Sequence, residues 1–246
     1  MLKPRLLITR FAPHAQRLAD LLNEQGIYSV AQPLLKIEPM VALKQPFTKK
    51  YDEIIAVSSN AVEFTDQALK GGLWPQSHYF AVGDATQLLL ASKTRQPITI
   101  PLQSFDSEGL LALPELQRLK NHSVLILRGV GGREFLKEAL IARGAKVDYY
   151  ESYQRVAIKL PRSSCVEKWQ QQAINGAIIS SIELLEQLMA VTIHENKNWL
   201  LSVTIFAASE RILKHANALG FQNTILLPSI SNQKIIEYFT GEASYD

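Results

Sequence analysis

The sequence predicts an α/β protein made of two similar lobes, each a doubly wound, mostly parallel sheet, and two observations carry that prediction. Short apolar runs rich in branched residues alternate along the whole chain with amphipathic stretches of helical spacing that stop at glycines. The alternation also repeats: Leu7, Ile8, Arg10, Leu18, Leu22 and Gly26 match Leu125, Ile126, Arg128, Leu136, Leu140 and Gly144 with no gap, which points to an internal duplication.

In the first unit, Leu6 to Thr9 is a strand ended by Arg10. Ala15, Leu18, Ala19, Leu21 and Leu22 then form the apolar face of a helix stopping at Gly26, and Tyr28 to Ala31 is the next strand. The counterpart runs from Ser123 to Arg155. Val124 to Leu127 reads as a strand buried on both faces, and Gly129, Gly131 and Gly132 form a loop. Phe135, Leu136, Ala139 and Leu140 recur at helical spacing, and Gly144 caps the end.

Further along, Ile54-Ile55-Ala56-Val57-Ser58-Ser59 pairs with Gly176-Ala177-Ile178-Ile179-Ser180-Ser181. Phe80 to Asp84 pairs with Phe206 to Glu210, and Ile98 to Pro101 with Ile225 to Pro228. Each half thus has a strand-helix alternation that requires right-handed crossovers. The pattern alone allows each repeat to close on itself or to exchange βαβ units with the other. Pro33 to Pro39 and Glu151 to Ile158 are extended, follow the two βαβ units, and read as a hinge of two crossing segments.

Composition narrows the function. Across 246 residues, 47% are apolar and 20% charged, the net charge is +3, and the basic residues are scattered rather than striped, so no nucleic-acid partner is expected. Cys165 is the only cysteine, which rules out an intrachain disulfide and fits a reducing compartment. The opening MLKPRLLITR has no sustained apolar core or small-residue cleavage site, and no apolar run has the length of a membrane span. A soluble cytoplasmic protein is the expectation.

Ligands of open parallel sheets gather at the carboxyl ends of the strands. Those ends carry Thr9-Arg10, Ser58-Ser59-Asn60, Gly83 to Thr86, Ser104 to Gly109, Arg128 to Arg133, Ser180-Ser181 and Ser209 to Arg211. Hydroxyls, glycines and arginines dominate, and neither histidine nor cysteine is present. Such a set suits hydrogen bonds to carboxylates or phosphates. The glycine loop opening a helix offers free backbone N–H groups, and Arg128 and Arg133 add guanidinium forks beside them. Ser59, Ser181 and Ser209 are expected to cap helices as well.

Other chemistries fit less well. His14, His78, His122, His194 and His215 lack metal-ligand spacing, so they read as surface residues and no metal is expected. There is no P-loop and no nucleophile elbow, and Gly129-Val130-Gly131-Gly132 has Glu134 where a dinucleotide fingerprint needs its third glycine. Tyr149 and Tyr150 belong to a strand as packing residues, whereas Tyr153 sits on the proposed hinge.

Taken together, Thr9-Arg10, Pro33-Leu34-Leu35, Ile37-Glu38-Pro39, Ser58 to Val62, Ala81-Val82-Gly83, Ala85-Thr86, Ser107 to Leu111, Arg128-Gly129, Arg133-Glu134, Gly144-Ala145 and Tyr153 resemble the uroporphyrinogen-III synthase family over nearly the whole chain. Ser180-Ser181 and Ser209 with Arg211 fit as well.

The resemblance implies two α/β lobes with exchanged βαβ units: residues 1–33 with 160–246, residues 41–150, and linker strands 34–40 and 151–159. It implies a cofactor-free, monomeric lyase that cyclises hydroxymethylbilane, a linear tetrapyrrole polycarboxylate, to uroporphyrinogen III with its last ring inverted. Tyr153 then matches the family's acid for hydroxyl loss. Arg10, Ser58, Ser59, Gly83, Thr86, Arg128, Gly129, Gly132, Arg133, Ser180, Ser181 and Ser209 become the expected substrate contacts in an interlobe cleft. Ser58 departs from the family's common threonine but keeps the hydroxyl. A non-catalytic two-lobe binding protein for an anionic small molecule is the alternative, and a nucleotide-binding oxidoreductase rests only on the incomplete glycine pattern.

Overall fold

The two βαβ units form as their apolar spacing requires. The computed structural model describes residues 3–40, 45–102, 104–132, 134–192 and 196–241. Strand β1 (Leu6–Ile8) is wholly buried, helix α1 (Ala12–Glu24) turns Ala15, Leu18, Ala19 and Leu22 inward, and β2 (Ser29–Ala31) returns parallel to β1. Next come β3 (Leu35–Pro39), β4 (Glu53–Ala56), α2 (Ser59–Leu69), β5 (His78–Ala81), α3 (Asp84–Thr94), β6 (Ile98–Thr99) and α4 (Ser107–Ala112). The second βαβ unit is β7 (Ser123–Gly129), α5 (Phe135–Ala142) and β8 (Lys146–Ala157). The remainder is α6 (Arg162–Gln171), β9 (Gly176–Ile178), α7 (Ile182–Val191), α8 (Lys197–Ser202), β10 (Thr204–Ala207), α9 (Glu210–Leu219), β11 (Thr224–Leu226) and α10 (Asn232–Thr240). No helix among the described residues is long and apolar enough to cross a membrane.

The chain divides into two compact units, Met1–Lys36 with Val156–Asp246, and Ile37–Arg155. The first holds a five-stranded sheet ordered β11-β10-β9-β1-β2; the six-stranded sheet is ordered β3-β8-β7-β4-β5-β6. Each sheet therefore combines one βαβ unit with strands from elsewhere in the chain. Both ladders are parallel from β1 outward and from β8 to β6. The exception involves β3: Met40 N–H donates to Ser152 O at 3.1 Å and Ile158 N–H to Leu34 O at 2.9 Å, so residue numbers run oppositely and β3 lies antiparallel to β8.

The register of the two βαβ units is the same. Leu7 faces Val30 and Ile8 faces Ala31, just as Leu125 faces Asp148 and Ile126 faces Tyr149. Leu18 and Leu22 pack on Leu6 and Ile8, and Leu136 and Leu140 pack on Val124 and Ile126. After each helix the chain turns at a left-handed glycine, Gly26 at φ +73° and Gly144 at φ +92°.

The ladders correct two of the pairings expected from sequence. Ile54 lies opposite Leu125 and Ala177 opposite Leu7, so Ile54 corresponds to Ala177 rather than Gly176, and Ser58 to Ser181 rather than Ser180. The twin serines allowed a slip of one residue, because an apolar run has no internal landmark. Likewise Phe80 faces Thr99 and Phe206 faces Ile225, which equates Ile98 with Thr224. Strand β8 is also one continuous element through Tyr153, not a strand followed by a separate extended segment.

Candidate functional site

In the unit Ile37–Arg155, the ends of β4, β5 and β7 and the interior of β8 bring predicted residues together. Ser58 follows β4 and, not Ser59, is the N-cap of α2; its Oγ accepts the Ala61 amide at 3.1 Å. The same Oγ lies 3.1 Å from the Tyr153 hydroxyl. Ser59, one residue inside the helix, places its Oγ 3.4 Å from Thr86 Oγ1 on α3. Gly83 is the N-cap of α3 in an extended conformation, and a side chain there would meet Phe105 at 3.4 Å.

Tyr153 arrives at Ser58 through an irregularity in the sheet. Arg128 pairs with Glu151 but Gly129 pairs with Tyr153, so Ser152 is an extra residue in β8. Ser152 is wholly buried and its Oγ donates to Ala61 O at 3.3 Å, while Val130 N–H donates to Tyr153 O at 2.8 Å. A Cβ on Gly129 would stand 2.5 Å from the Tyr153 ring, so the ring lies where only glycine leaves room. Phe64 packs against the ring at a tilt, with centroids 5.8 Å apart.

Arg128 does not extend beside the glycine loop as a free fork. It is 5% exposed, with Nε donating to Gly129 O at 3.1 Å and Nη1 to Glu134 Oε1 at 3.1 Å, and its guanidinium stacks 4.4 Å from the Tyr149 ring centre. Glu134 also accepts from Tyr149 at 2.9 Å, and the hydrogen bonds from Tyr149 and Arg128 hold its carboxyl below the ordinary range. Burial, followed by the bond to Glu134, pushes the Tyr149 hydroxyl up to about 12. Gly131 and Gly132 adopt φ +77° and +101°, and α5 begins only at Phe135, so the loop is a turn ahead of the helix rather than its first turn. A cavity of about 260 Å³ opens here, lined by Arg128, Gly129, Gly131 and Gly132 together with Asp106 and Glu108. Arg133 lies outside the described residues.

The other unit places Arg10, Ser180, Ser181 and Ser209 at its own strand ends. Arg10 Nη1 donates to Asn232 Oδ1 at 2.8 Å and Nη2 to Ile230 O, its Nε is buried without a partner among the described residues, and burial lowers its pKa. Ser181 caps α7 by accepting Leu184 N–H at 3.2 Å, whereas Ser180 is exposed. Ser209 occupies the N-cap position of α9 without a side-chain capping bond, which leaves its hydroxyl to other uses.

Sequence reasoning missed Ser152, Phe64 and the pairing of Glu134 with Arg128. Glu134 had a local signal, a carboxylate six residues after the arginine on a glycine turn. The other two had none.

Comparison with known proteins places the whole chain. The family model for uroporphyrinogen-III synthase HemD matches residues 16–237. The uroporphyrinogen-III synthases of Escherichia coli (strain K12) and Salmonella typhimurium are each 33% identical over 240 residues, covering 94% of this chain and 98% of theirs. Among solved structures, a mutant uroporphyrinogen III synthase from the extremely thermophilic bacterium Thermus thermophilus superposes with a TM-score of 0.61 at 13% identity, covering 98% of this chain and 100% of that one. A uroporphyrinogen-III synthetase from Helicobacter pylori 26695 gives 0.60 at 15% identity, with the same coverage of 98% and 100%. The solved structures share the fold; the family model and the bacterial relatives establish that the chain belongs to the uroporphyrinogen-III synthase family.

Proposed function

We propose that this protein is a uroporphyrinogen-III synthase, converting hydroxymethylbilane to uroporphyrinogen III with inversion of the terminal ring and release of one water. The electron-rich pyrrole at the opposite end, which carries the hydroxymethyl group, expels its hydroxyl as an azafulvene forms. The substituted carbon of the last ring attacks this electrophile to give a spiro intermediate, which rearranges and closes. What the protein must supply is a proton for the departing hydroxyl and a template that holds the chain bent.

The observation that carries the reading is the Tyr153 ring held against Gly129 with its hydroxyl 3.1 Å from Ser58 Oγ. Because Ser58 Oγ already accepts the Ala61 amide, its own proton is available to the tyrosine oxygen. Tyr153 donates to the leaving hydroxyl, and the negative charge left on the phenol oxygen is met by Ser58 at the positive end of α2. Arg128, Gly129 and Gly132 border the neighbouring cavity and are proposed substrate contacts, as are Ser59, Gly83 and Thr86. Arg10, Arg133, Ser180, Ser181 and Ser209 complete the proposed set for the substrate's carboxylates. The enzyme works without a cofactor, as a monomer, in the cytoplasm.

Incubating the protein with hydroxymethylbilane and identifying the isomer tests this reading. Uroporphyrinogen III is expected. Formation of only the uninverted isomer, which closes without catalysis, leaves a non-catalytic binding protein in its place.

A further inference from the structure

We propose that Asp52, Glu53 and His122 form a binding site for a divalent transition-metal cation of the zinc class, at the amino-terminal ends of β4 and β7. The three residues are brought together by the sheet, not by spacing. Glu53 faces Val124 in the β4–β7 ladder and Asp52 N–H donates to Ser123 O at 2.9 Å, which sets His122 beside both acids. One ligand atom from each residue lies within 4.8 Å of the others.

The decisive member is Glu53. It is only 3% exposed, its Oε1 meets His122 Nδ1 at 2.7 Å, and its Oε2 is buried with no hydrogen-bond partner among the described residues. A buried carboxylate with one oxygen lacking a donor is costly, and a cation bound through Oε1 offsets the charge of the whole group. Two carboxylate oxygens and an imidazole nitrogen form a donor set suited to zinc, with a water in the fourth position. Metal bonds of about 2.1 Å in a tetrahedron place ligand atoms roughly 3.4 Å apart, so the cation replaces the proton held between Nδ1 and Oε1, which is released to solvent, and the two atoms open by about 0.7 Å.

Orientation and access also fit. Asp52 Oδ2 accepts Ser123 N–H at 2.8 Å and Ser123 Oγ at 3.1 Å, which fixes the carboxylate from behind. Asp52 is exposed and the His122 side chain is 44% exposed, so a cation can enter from solvent. The same two strands carry Ser58 and Gly129 beyond or at their other ends, so a bound cation pins β4 to β7 far along the strands from the proposed chemistry. Its role is structural.

Titration of the chelator-treated full-length protein with zinc ions, followed by calorimetry and by nitrogen NMR of the histidines, tests the site. One equivalent is expected to bind, with the His122 Nδ1 resonance shifting, the melting temperature rising, and isomer III formation unaltered. His122→Ala, at a half-buried position, and Asp52→Ala, at an exposed one, are each expected to weaken binding by about tenfold or more. No binding, a shift at another histidine, or undiminished affinity in both variants overturns the proposal.

Discussion

The hydroxyls of Tyr153 and Ser58 stand 3.1 Å apart, while Ser58 Oγ is held at the first turn of α2 by the Ala61 amide. Tyr153→Phe preserves the ring that packs on Gly129 and Phe64 and removes only the oxygen. If the phenol is the acid, kcat falls by about 10²- to 10⁴-fold while KM stays within about twofold. Initial rates of uroporphyrinogen III formation measure this, and a near-normal kcat removes Tyr153 from the acid role.

Ser58 has two duties that substitutions can separate. Ser58→Ala loses both the cap and the partner of Tyr153, and costs about 1 kcal/mol of stability. Ser58→Gly costs only a few tenths of that amount as a cap yet still removes the partner hydroxyl. Ser58→Thr keeps both. Turnover is therefore expected to drop together in the Ala and Gly variants and to persist in Thr, while urea melts single out Ala. Rates that follow stability instead reduce Ser58 to a helix cap.

These relationships show how far the sequence could be read. The βαβ units were legible because the apolar spacing, the left-handed glycines and the repeat all required the same elements; Leu18, Leu22, Leu136 and Leu140 sit in the two cores as their periodicity demands. Ser58 as the cap was not, because Ser58 and Ser59 are chemically identical and only backbone dihedrals distinguish N-cap from first helical residue. The extra residue at Ser152 was hidden too, since period-two alternation in ESYQR is compatible with a regular strand. His122 was read as an isolated surface histidine because its acidic neighbours are contributed by a strand about seventy positions earlier, and only the ladder register joins them.

Gly129 tests whether the Tyr153 position is enforced sterically. Its φ is not in the left-handed region, so Gly129→Ala meets no backbone strain, but the new methyl group would stand 2.5 Å from the Tyr153 ring. The ring must move away from Ser58. A loss of kcat of at least tenfold is expected with the fold retained, since misplacing a reacting group by an ångström carries penalties of that order or greater. Gly26→Ala provides the contrast: at φ +73° with open space around it, it is expected to lower stability by about 1 kcal/mol and leave the rate unchanged. Circular dichroism with initial rates checks both, and an unimpaired Gly129→Ala enzyme shows that Tyr153 does not depend on this contact.

Acid stability in the same unit depends on Asp66. On α2, it accepts Lys93 Nζ from α3 at 2.6 Å and the Trp74 indole N–H at 2.9 Å. Burial pushes its carboxyl up, but the hydrogen bonds from Lys93 and Trp74 outweigh this and hold it below the ordinary value. A carboxylate depressed in the folded state contributes stability that is present above its unfolded pKa, about 3.9, and is lost as pH falls through the folded value. Asp66→Asn is therefore expected to lower stability at pH 7 by about 0.5–1 kcal/mol, given partial solvent screening. As pH falls below about 4 and through the lower folded-state value the wild type loses that advantage, so the two curves converge. Urea melts of both proteins across this range measure the gap; a gap that stays constant with pH means the side chain acts by packing and not by charge.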